Sequence, residues 1–467
     1  MATVISYGAA EVVTGSCHLM ELDNGKRIMV DCGMFQGREE HRNYGPFDFD
    51  ATEVDYLLVT HAHLDHVGRI PKLVKEGFDG TLVATEATLA LAEVVLLDSA
   101  KIMKEDYLTR YKKAQRRGTE HTVQAPLYET KDVETALALP KIIPEYDKPF
   151  ELCEGVTVTY RNAGHILGSA YIEIDYEENG QKRKIVFSGD IGNDNDMVIP
   201  NLVSCKNADY LYVESTYGDR NHKGALESEK EFRGVITKTL ENWGNVIIPS
   251  FAIERTQEIL CILKEMHDNG TLPECKVFLD SPMATRATAV YKEYAEKLLS
   301  KECQDMKQRD GTVFDFDGLE YTLSVDDSKA INEVDSRAII IAGSGMCTGG
   351  RILHHFKNRL WNRKNAVLFV GYQAVGTLGR RIVDGAKWVK IYHEDIRIKA
   401  SVYTINGFSA HADQNGIIKW VGDIDDLKRI FLIHGEEEKQ EVLREVMGEK
   451  LHEKAHIVKP EEVIYLT

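Results

Sequence analysis

Residues 56–66 read YLLVTHAHLDH, an apolar strand followed at once by a cluster of potential metal ligands. The cluster holds His61, His63, Asp65 and His66, and imidazole and carboxylate groups suit Zn²⁺ and other borderline divalent metals. The first two histidines are two residues apart, which is not the helical i, i+4 spacing of an HExxH site. We therefore expect a turn that directs His61 and His63 toward one ion and Asp65 and His66 toward another. The alternative is a polar loop whose histidines bind no metal, and the presence of four potential ligands within six residues disfavours it.

Three later segments offer further donors in one format, an apolar strand that ends in a polar residue beside glycine. They are Asn162-Ala-Gly-His165, Phe187-Ser-Gly-Asp190 and Phe431-Leu-Ile-His434-Gly435. Each segment alone is ordinary turn chemistry. Together with the first cluster they supply seven donors, which is enough for two ions with Asp190 as the bridge.

The composition predicts a folded, intracellular protein. The chain has 467 residues, 43% of them hydrophobic and 28% charged, so it can bury cores in two to four folding units. Its net charge of −17 argues against binding nucleic acid through overall basicity, although a local basic groove remains compatible with it. No apolar run approaches the ~20 residues of a membrane span, and the start MATVISYGAA lacks the basic region of a signal peptide. Eight scattered cysteines without a CxxC pair favour reduced thiols and a cytoplasmic location.

Alternating strand and helix patterns predict a layered α/β protein. Short apolar strands and a long helical stretch at 86–117 fill the first part of the chain. From about Leu211 the pattern becomes a series of strand–helix repeats, such as NVIIPSF followed by RTQEILCILKEMHDNG, which is typical of a mostly parallel sheet. The C-terminal part returns to strand–helix–strand units, so a second domain inserted into the first is compatible with the pattern.

Several segments resemble the successive motifs of the metallo-β-lactamase superfamily and of its β-CASP branch, in family order. The first set is MVDCG, THAHLDHVG, GHILGSA and FSGDIG. The β-CASP set is VESTYG (motif A), GFSAHAD (motif B) and LIHGE (motif C), with PSFAIERTQE, DSPMA, GSGMCTGGR and GYQAVGTLGR. The chain is most similar to bacterial and archaeal relatives of the endonuclease subunit of the eukaryotic pre-mRNA 3′-end cleavage factor, and RNase J is a more distant relative.

The resemblance implies a four-layer αββα sandwich that carries an inserted α/β cap with a parallel sheet. The expected segments are 1–205 for the first part of the metallo-β-lactamase core, 206–395 for the β-CASP cap and 396–467 for the C-terminal part of the core.

The resemblance also implies a ligand set for two zinc ions, for which Mn²⁺ can substitute. Three histidines would hold one ion, an aspartate and two histidines the other, and a further aspartate would bridge the two together with a hydroxide. In that order the residues are His61, His63 and His165; Asp65, His66 and His434; and Asp190.

Besides the bridging Asp190, the family assigns catalytic roles to three residues. Asp31 would orient the site, and His411 would be the general acid, with its pKa raised and its ring oriented by Glu214. The residues alone leave open that His411 is a structural histidine, that Glu214 stabilises a strand end and that Asp31 caps a turn.

These features predict a zinc-dependent ribonuclease that cleaves single-stranded RNA endonucleolytically, with a 5′→3′ exonucleolytic mode and a homodimer left open. A hydrolase of a small ester, thioester or lactam is disfavoured because such members lack motifs A to C. A non-catalytic paralogue is disfavoured by the full donor set, and a diiron redox site by His63, where its HxExDH pattern has Glu. His434 favours RNA, because the DNA-repair members carry Val at that position.

Substrate contacts are predicted at glycine-rich and basic positions. The segment Gly343–Arg351 lies between a strand and a helical pattern, where backbone N–H groups can approach a phosphate, and a tight structural turn is its alternative. The predicted contacts are Ser344, Gly345, Met346, Ser250, Arg255, Thr377, Arg380 and Arg381. A further basic cluster, Lys112, Lys113, Arg116 and Arg117, is more typical of a solvated helix face.

Overall fold

The computed structural model describes residues 1–178, 180–194, 196–374, 376–405 and 407–467, so Val375 of the GYQAVGTLGR segment lies outside the described residues. The chain divides into two compact units. Unit 1 comprises Met1–Asp194, Asn201–Asn221 and His411–Thr467, and unit 2 comprises Asn195–Pro200 and His222–Ala410.

The strands and helices alternate along the described chain, as the periodicity predicts. The strands are β1 Thr3–Gly8, β2 Cys17–Glu21, β3 Arg27–Val30, β4 Tyr56–Leu58, β5 Thr81–Val83, β6 Lys141–Ile142, β7 Phe150–Cys153, β8 Val156–Asn162, β9 Ala170–Glu178, β10 Gln181–Phe187, β11 Tyr210–Glu214, β12 Val246–Pro249, β13 Lys276–Asp280, β14 Leu319–Tyr321, β15 Ala338–Ala342, β16 Ala366–Phe369, β17 Trp388–Ile391, β18 Glu394–Arg397, β19 Ser401–Thr404, β20 Arg429–Ile433, β21 Ala455–Ile457 and β22 Val463–Tyr465. The helices are α1 Leu64–Val67, α2 Ile70–Lys75, α3 Glu86–Gln115, α4 Thr130–Leu137, α5 Ala225–Glu241, α6 Arg255–Asp268, α7 Pro282–Glu293, α8 Ala295–Leu298, α9 Lys301–Asp310, α10 Val325–Ala330, α11 Ile352–Arg359, α12 Leu378–Val383, α13 Gln414–Gly422, α14 Glu437–Val446 and α15 Glu449–His452.

Unit 1 is built from two mixed sheets that share one hydrophobic core. Their strand orders are β22-β1-β2-β3-β4-β5-β6 and β21-β20-β11-β10-β9-β8-β7. Val4 and Val30 of the first sheet belong to the same buried cluster as Val158, Ile172 and Phe187 of the second. Burial alternates along β1 because every second side chain of the strand points into this core.

Helices cover the outer faces of both sheets. Trp420 of α13 and Leu443 of α14 pack in one cluster with Leu211 of the second sheet. On the other side, Ile70 of α2 and Leu89 of α3 line one small apolar cavity with residues of the first sheet. The layers are therefore helix, sheet, sheet and helix, which confirms the predicted αββα sandwich.

Unit 2 contains a six-stranded sheet in which every pair is parallel, in the order β14-β13-β15-β12-β16-β19. The central strands β12, β15 and β16 are buried at every residue. Continuous apolar runs of this kind belong to parallel sheets that are covered on both faces. The predicted parallel sheet of the inserted region is confirmed.

The compact units begin and end at other positions than the expected segments 1–205, 206–395 and 396–467. Strand β11 pairs in parallel with β10 and with β20, which places it in the second sheet of unit 1. Strand β19 pairs with β16, which places it in unit 2. Pairing with strands from distant segments therefore determines the unit to which β11 and β19 each belong. The domain boundaries 1–205, 206–395 and 396–467 remain a proposal.

The long helical stretch expected at 86–117 is the helix α3. The hydroxyl of Thr85 caps it by accepting a hydrogen bond from the backbone N–H of Thr88. Within the part of the chain that the structure describes, no helix has the length and apolarity needed to cross a bilayer.

Candidate metal centre

The turn after β4 brings the first four predicted ligands into one small space. Strand β4 ends at Leu58, His63 is the N-cap of α1, and the short helix carries Asp65 and His66. The rings of His61 and His66 are buried, with centroids 4.0 Å apart. A strand-to-helix turn therefore presents the ligands, as the non-helical spacing predicts.

A first group of donors contains three histidines and one aspartate. The Nδ1 atom of His63 lies 3.2 Å from Nε2 of His61 and 3.1 Å from Nε2 of His165. The Oδ2 atom of Asp190 lies 3.4 Å and 3.5 Å from the same two Nε2 atoms. One ligand atom from each of the four residues lies within 4.8 Å of all the others.

A second group lies on the other side of Asp190. The Nε2 atoms of His66 and His434 are 3.2 Å apart, and Oδ2 of Asp65 is 3.7 Å from Nε2 of His434. The Oδ1 atom of Asp190 is 3.3 Å from Nε2 of His66. The structure thus brings together all seven predicted ligands, although they come from segments up to several hundred residues apart.

The carboxylate of Asp190 divides its oxygens between the two groups. It is 2% exposed, and its Oδ1 accepts no hydrogen bond from any residue that the structure describes. A buried carboxylate oxygen without a donor is costly unless a cation neutralises it. The surrounding set of imidazole and carboxylate groups fits a divalent metal ion.

In the first group of donors, the protonation states agree with metal binding. Burial lowers the pKa of His61 to about 3 and of His63 to about 4, and it lowers the pKa of His165 well below its usual value. Burial by itself would raise the pKa of Asp190, but His434 and the other nearby histidines hold it well below its usual value. Neutral imidazole and ionised carboxylate are the forms that bind metals.

Asp31 contacts His66 of the second group of donors and holds its ring in place. It follows β3 with a φ of 62°. Its Oδ2 is 2.7 Å from Nδ1 of His66, and its Oδ1 accepts a hydrogen bond of 2.8 Å from the backbone N–H of Thr60. Burial opposes protonation of His66, but Asp190 and Asp31 outweigh it and raise its pKa well above the usual value. This contact directs Nε2 of His66 toward His434.

Several hydroxyl groups that the sequence analysis missed complete the surroundings. Thr216 Oγ1 lies 3.1 Å from Nδ1 of His434, and Thr60 Oγ1 lies 3.1 Å from Nδ1 of His61. Ser16 donates to Asp31 over 3.3 Å and lies 3.4 Å from the buried ring of His18. Ligating imidazoles need a partner for the second ring nitrogen, so a search for Ser and Thr beside predicted ligands could have found Thr60, which precedes His61. Thr216 is 218 residues from His434, and only the fold brings the two together.

Glu214 and His411 form a pair beside Asp190. Nδ1 of His411 is 3.2 Å from both carboxylate oxygens of Glu214, which ends β11 and is fully buried. The backbone N–H of Ile191 donates to the same carboxylate over 2.7 Å. Burial lowers the pKa of His411, but Glu214 and Asp190 outweigh it and raise that pKa to about 9. The imidazole Nδ1 lies 3.9 Å from Oδ2 of Asp190.

In unit 2, some of the predicted substrate contacts lie together at the carboxyl end of the parallel sheet. Ser250 follows β12, whereas Ser344, Gly345 and Met346 follow the adjacent strand β15. The side chain of Gln373, in the segment after β16, donates to the carbonyl of Gly345 over 2.9 Å. A side chain on Gly345 would collide with the ring of Phe251, so this close approach requires glycine.

The other predicted contacts are engaged elsewhere in unit 2. Thr377 caps α12 by accepting from the N–H of Arg380, whose guanidinium pairs with Asp384 at 2.8 Å. Arg255 is buried and pairs with Glu258. Arg381 is exposed. Among the described residues, no side-chain hydrogen bond joins these three arginines to 344–346, and their role stays a prediction.

Three protein-family models match the chain. The metallo-beta-lactamase superfamily matches residues 10–228, the Beta-Casp domain residues 256–382, and the Zn-dependent metallo-hydrolase RNA specificity domain residues 395–458.

Curated relatives match almost the whole chain. Ribonuclease TTHA0252 of Thermus thermophilus is 41% identical over 437 residues, which cover 93% of this chain and 94% of the relative. The transcription termination factor FttA of Methanocaldococcus jannaschii is 32% identical, over 92% of this chain and 66% of its own length. An RNase J-like protein of the same archaeon is 31% identical, over 92% of this chain and 91% of the relative.

Proposed function

The chain belongs to the β-CASP branch of the metallo-β-lactamase superfamily, and we propose that it is a ribonuclease that hydrolyses single-stranded RNA with two Zn²⁺ ions. The observation that carries the proposal is the position of Asp190, whose two oxygens face two separate groups of buried donors. One ion would leave one of these groups without a cation.

The proposed ligands are those that the sequence indicates. One ion would be held by His61, His63 and His165, the other by Asp65, His66 and His434, and Asp190 would bind both. Bound there, the two ions would neutralise phosphate charge and lower the pKa of a bound water molecule. The mixed nitrogen and oxygen set also accepts Mn²⁺.

The residues around the ligands would orient them and move a proton. Asp31 fixes the ring of His66 through Nδ1, and Thr216 contacts the ring of His434 in the same way. Glu214 accepts from Nδ1–H of His411, which makes Nε2 the nitrogen that delivers a proton to the departing sugar oxygen. This donation matters because a sugar alkoxide is a poor leaving group.

RNA as the substrate is supported by the relatives named as ribonucleases and by the match to an RNA specificity domain. That matched segment, 395–458, contains both His411 and His434. We propose that Ser344, Gly345 and Met346 contact the RNA backbone. The eight free cysteines support a cytoplasmic location.

The test combines metal analysis with cleavage of designed RNA. We expect two zinc ions per chain, and cleavage of both 5′-labelled and internally blocked oligomers by the Zn²⁺- or Mn²⁺-loaded protein. Internal products identify endonucleolytic cleavage, and mononucleotides released from the 5′ end alone would overturn it. Protein that holds its metal and leaves every RNA intact would contradict the proposed function.

A further inference from the structure

The outer half of helix α3 contains no buried residue. Buried residues on α3 stop at Ala100, although the helix continues to Gln115. Beyond that point every side chain is exposed or half-buried, and Ile102 and Leu108 are 52% and 44% exposed. We call residues 101–117 the outer segment. Packing against the core explains the inner half of α3, but it does not explain the outer segment.

The outer segment is strongly basic in an acidic protein. It carries seven basic and two acidic side chains, whereas the whole chain has a net charge of −17. The basic residues are Lys101, Lys104, Arg110, Lys112, Lys113, Arg116 and Arg117. Among the described residues, no carboxylate oxygen lies within 4.0 Å of the charged nitrogens of these seven side chains.

Some of this charge is unfavourable to the free helix. The dipole of α3 favours cations in its last turn. However, Lys112 and the C-cap residue Arg116 are a like-charge pair at i, i+4 spacing, which destabilises a helix by a few tenths of a kcal/mol. A bound polyanion would remove this repulsion.

Two tyrosines add stacking surface to the same segment. Tyr107 and Tyr111 lie one turn apart with ring centroids 5.6 Å apart and planes inclined by 36°. Both are half-buried, whereas most side chains of the outer segment are exposed. Basic side chains interleaved with aromatic rings are the combination with which proteins bind single-stranded nucleic acid without sequence preference.

Helix α3 connects this segment to the candidate metal centre, and both lie in unit 1. At its beginning, the hydroxyls of Thr85 and Thr88 each donate to the carbonyl of Gly168 over 2.8 Å, three residues after His165. At 1.5 Å per residue, Arg116 lies about 40 Å further along the helix axis. A stacked strand advances about 3.4 Å per nucleotide, so this length corresponds to roughly twelve nucleotides.

We propose that the outer segment of α3 binds the sugar–phosphate backbone of single-stranded RNA about twelve nucleotides from the bond that is cleaved. The inference rests on the proposed ribonuclease function. It makes long RNA a better ligand than short RNA, because only long RNA reaches both places.

The test compares two variants that each lose four positive charges. The helix variant carries Lys112→Gln, Lys113→Gln, Arg116→Gln and Arg117→Gln, in which glutamine maintains helix propensity. The control variant carries Lys131→Gln, Lys148→Gln, Lys182→Gln and Lys450→Gln, which are exposed positions elsewhere in unit 1. Both are made in a His411→Ala background, which should retain its metal while RNA is cleaved slowly. Fluorescence anisotropy measures binding of a 20-mer and a 6-mer oligouridylate from 50 to 200 mM salt.

We expect the helix variant to bind the 20-mer roughly tenfold more weakly, with a salt slope smaller by up to about 3, since each phosphate contact on a single strand contributes about 0.7. Its affinity for the 6-mer and both affinities of the control variant should stay as in the parent. Unchanged binding of the 20-mer by the helix variant, or an equal loss in the control variant, would overturn the proposal. Cleavage of the 6-mer by the wild type tests the ribonuclease function separately.

Discussion

Two buried aspartates, one in each unit, show how differently a fold can treat the same group. Asp190 of unit 1 follows β10 and Asp280 of unit 2 ends β13; they are 2% and 0% exposed. Burial alone would raise the pKa of both carboxyl groups, yet each pKa lies below its usual value. Nearby histidines lower the pKa of Asp190, whereas hydrogen bonds from His355 and other donors lower the pKa of Asp280. Both carboxylates are therefore ionised.

The partners of the two carboxylates differ. Asp280 receives hydrogen bonds from His355 and Ser328 on Oδ2, and from Thr322 and Arg351 on Oδ1, at 2.6–2.7 Å. Oδ1 of Asp190 receives none from the described residues, and ring nitrogens that can bind metal surround it. Hydrogen bonds within the protein compensate the charge of Asp280, whereas we propose that bound metal ions compensate that of Asp190.

The largest effect that this comparison predicts is in the Asp190→Ala variant. We expect it to lose metal and to cleave RNA at least about 10⁴-fold more slowly, because the metal provides both charge neutralisation and the reactive water. Metal content and the cleavage rate are measured together. The control is Asp194→Asn, which changes an exposed aspartate paired with Lys419 and should retain both. An Asp190→Ala protein that keeps two zinc ions would refute its bridging role.

His411→Ala should separate proton transfer from metal binding. Because His411 contacts Glu214 and belongs to neither proposed ligand set, we expect metal content to stay unchanged and cleavage to slow by ~10²–10⁴-fold. Cleavage of an RNA with a more acidic leaving group should be less affected. A wild-type rate on normal RNA would show that His411 is structural.

Asp280→Ala should destabilise the protein and leave its metal content unchanged, in contrast to Asp190→Ala, which should lose metal. The Asp280→Ala substitution leaves the guanidinium of Arg351 and the ring of His355 without their carboxylate, and breaking such a buried network costs about 3–5 kcal/mol of unfolding free energy. Chemical denaturation measures the effect, and we expect metal content to be unchanged. Asp326→Ala is the matched control, since that aspartate is exposed. If Asp280→Ala were as stable as the control, the hydrogen-bond network would contribute little.

A buried glutamate predicts the smallest effect, a change in how stability depends on pH. Burial raises the pKa of Glu254 well above its usual value, and the negative charge of Asp196 adds to this effect. One carboxylate oxygen of Glu254 accepts a hydrogen bond of 2.6 Å from the hydroxyl of Tyr291. The other oxygen has no hydrogen-bond partner among the described residues. The folded state thus binds a proton that the unfolded state releases near pH ~4.3. Stability contributed by this proton is present below that pH and falls by up to about 1.4 kcal/mol per pH unit above it.

In Glu254→Gln this pH dependence should disappear. Urea unfolding at pH 5, 6, 7 and 8 should therefore show a smaller decline for the variant than for the wild type. Glu227→Gln, at an exposed position on α5, serves as the control. Parallel curves for wild type and variant would mean that Glu254 is ionised in the folded protein.

The sequence alone determined the local structures and the identity of the fold. The strand YLLVT followed by HAHLDH predicts a strand-to-turn ligand cluster, because strand and turn preferences depend on neighbouring residues. Continuous apolar runs likewise predict the buried parallel sheet of unit 2. The order of the motifs adds the family, and with it the donor residues.

Only the tertiary structure decided which distant groups meet and which charges are compensated. His165, Asp190 and His434 converge because β8, β10 and β20 belong to one sheet, and chain periodicity does not encode the pairing of strands so far apart. By sequence, Asp190 and Asp280 are both strand-end aspartates; their partners come from other segments. The exposure of the outer segment of α3 was equally undetermined, because a basic helix face looks the same in the sequence whether the core covers it or solvent does.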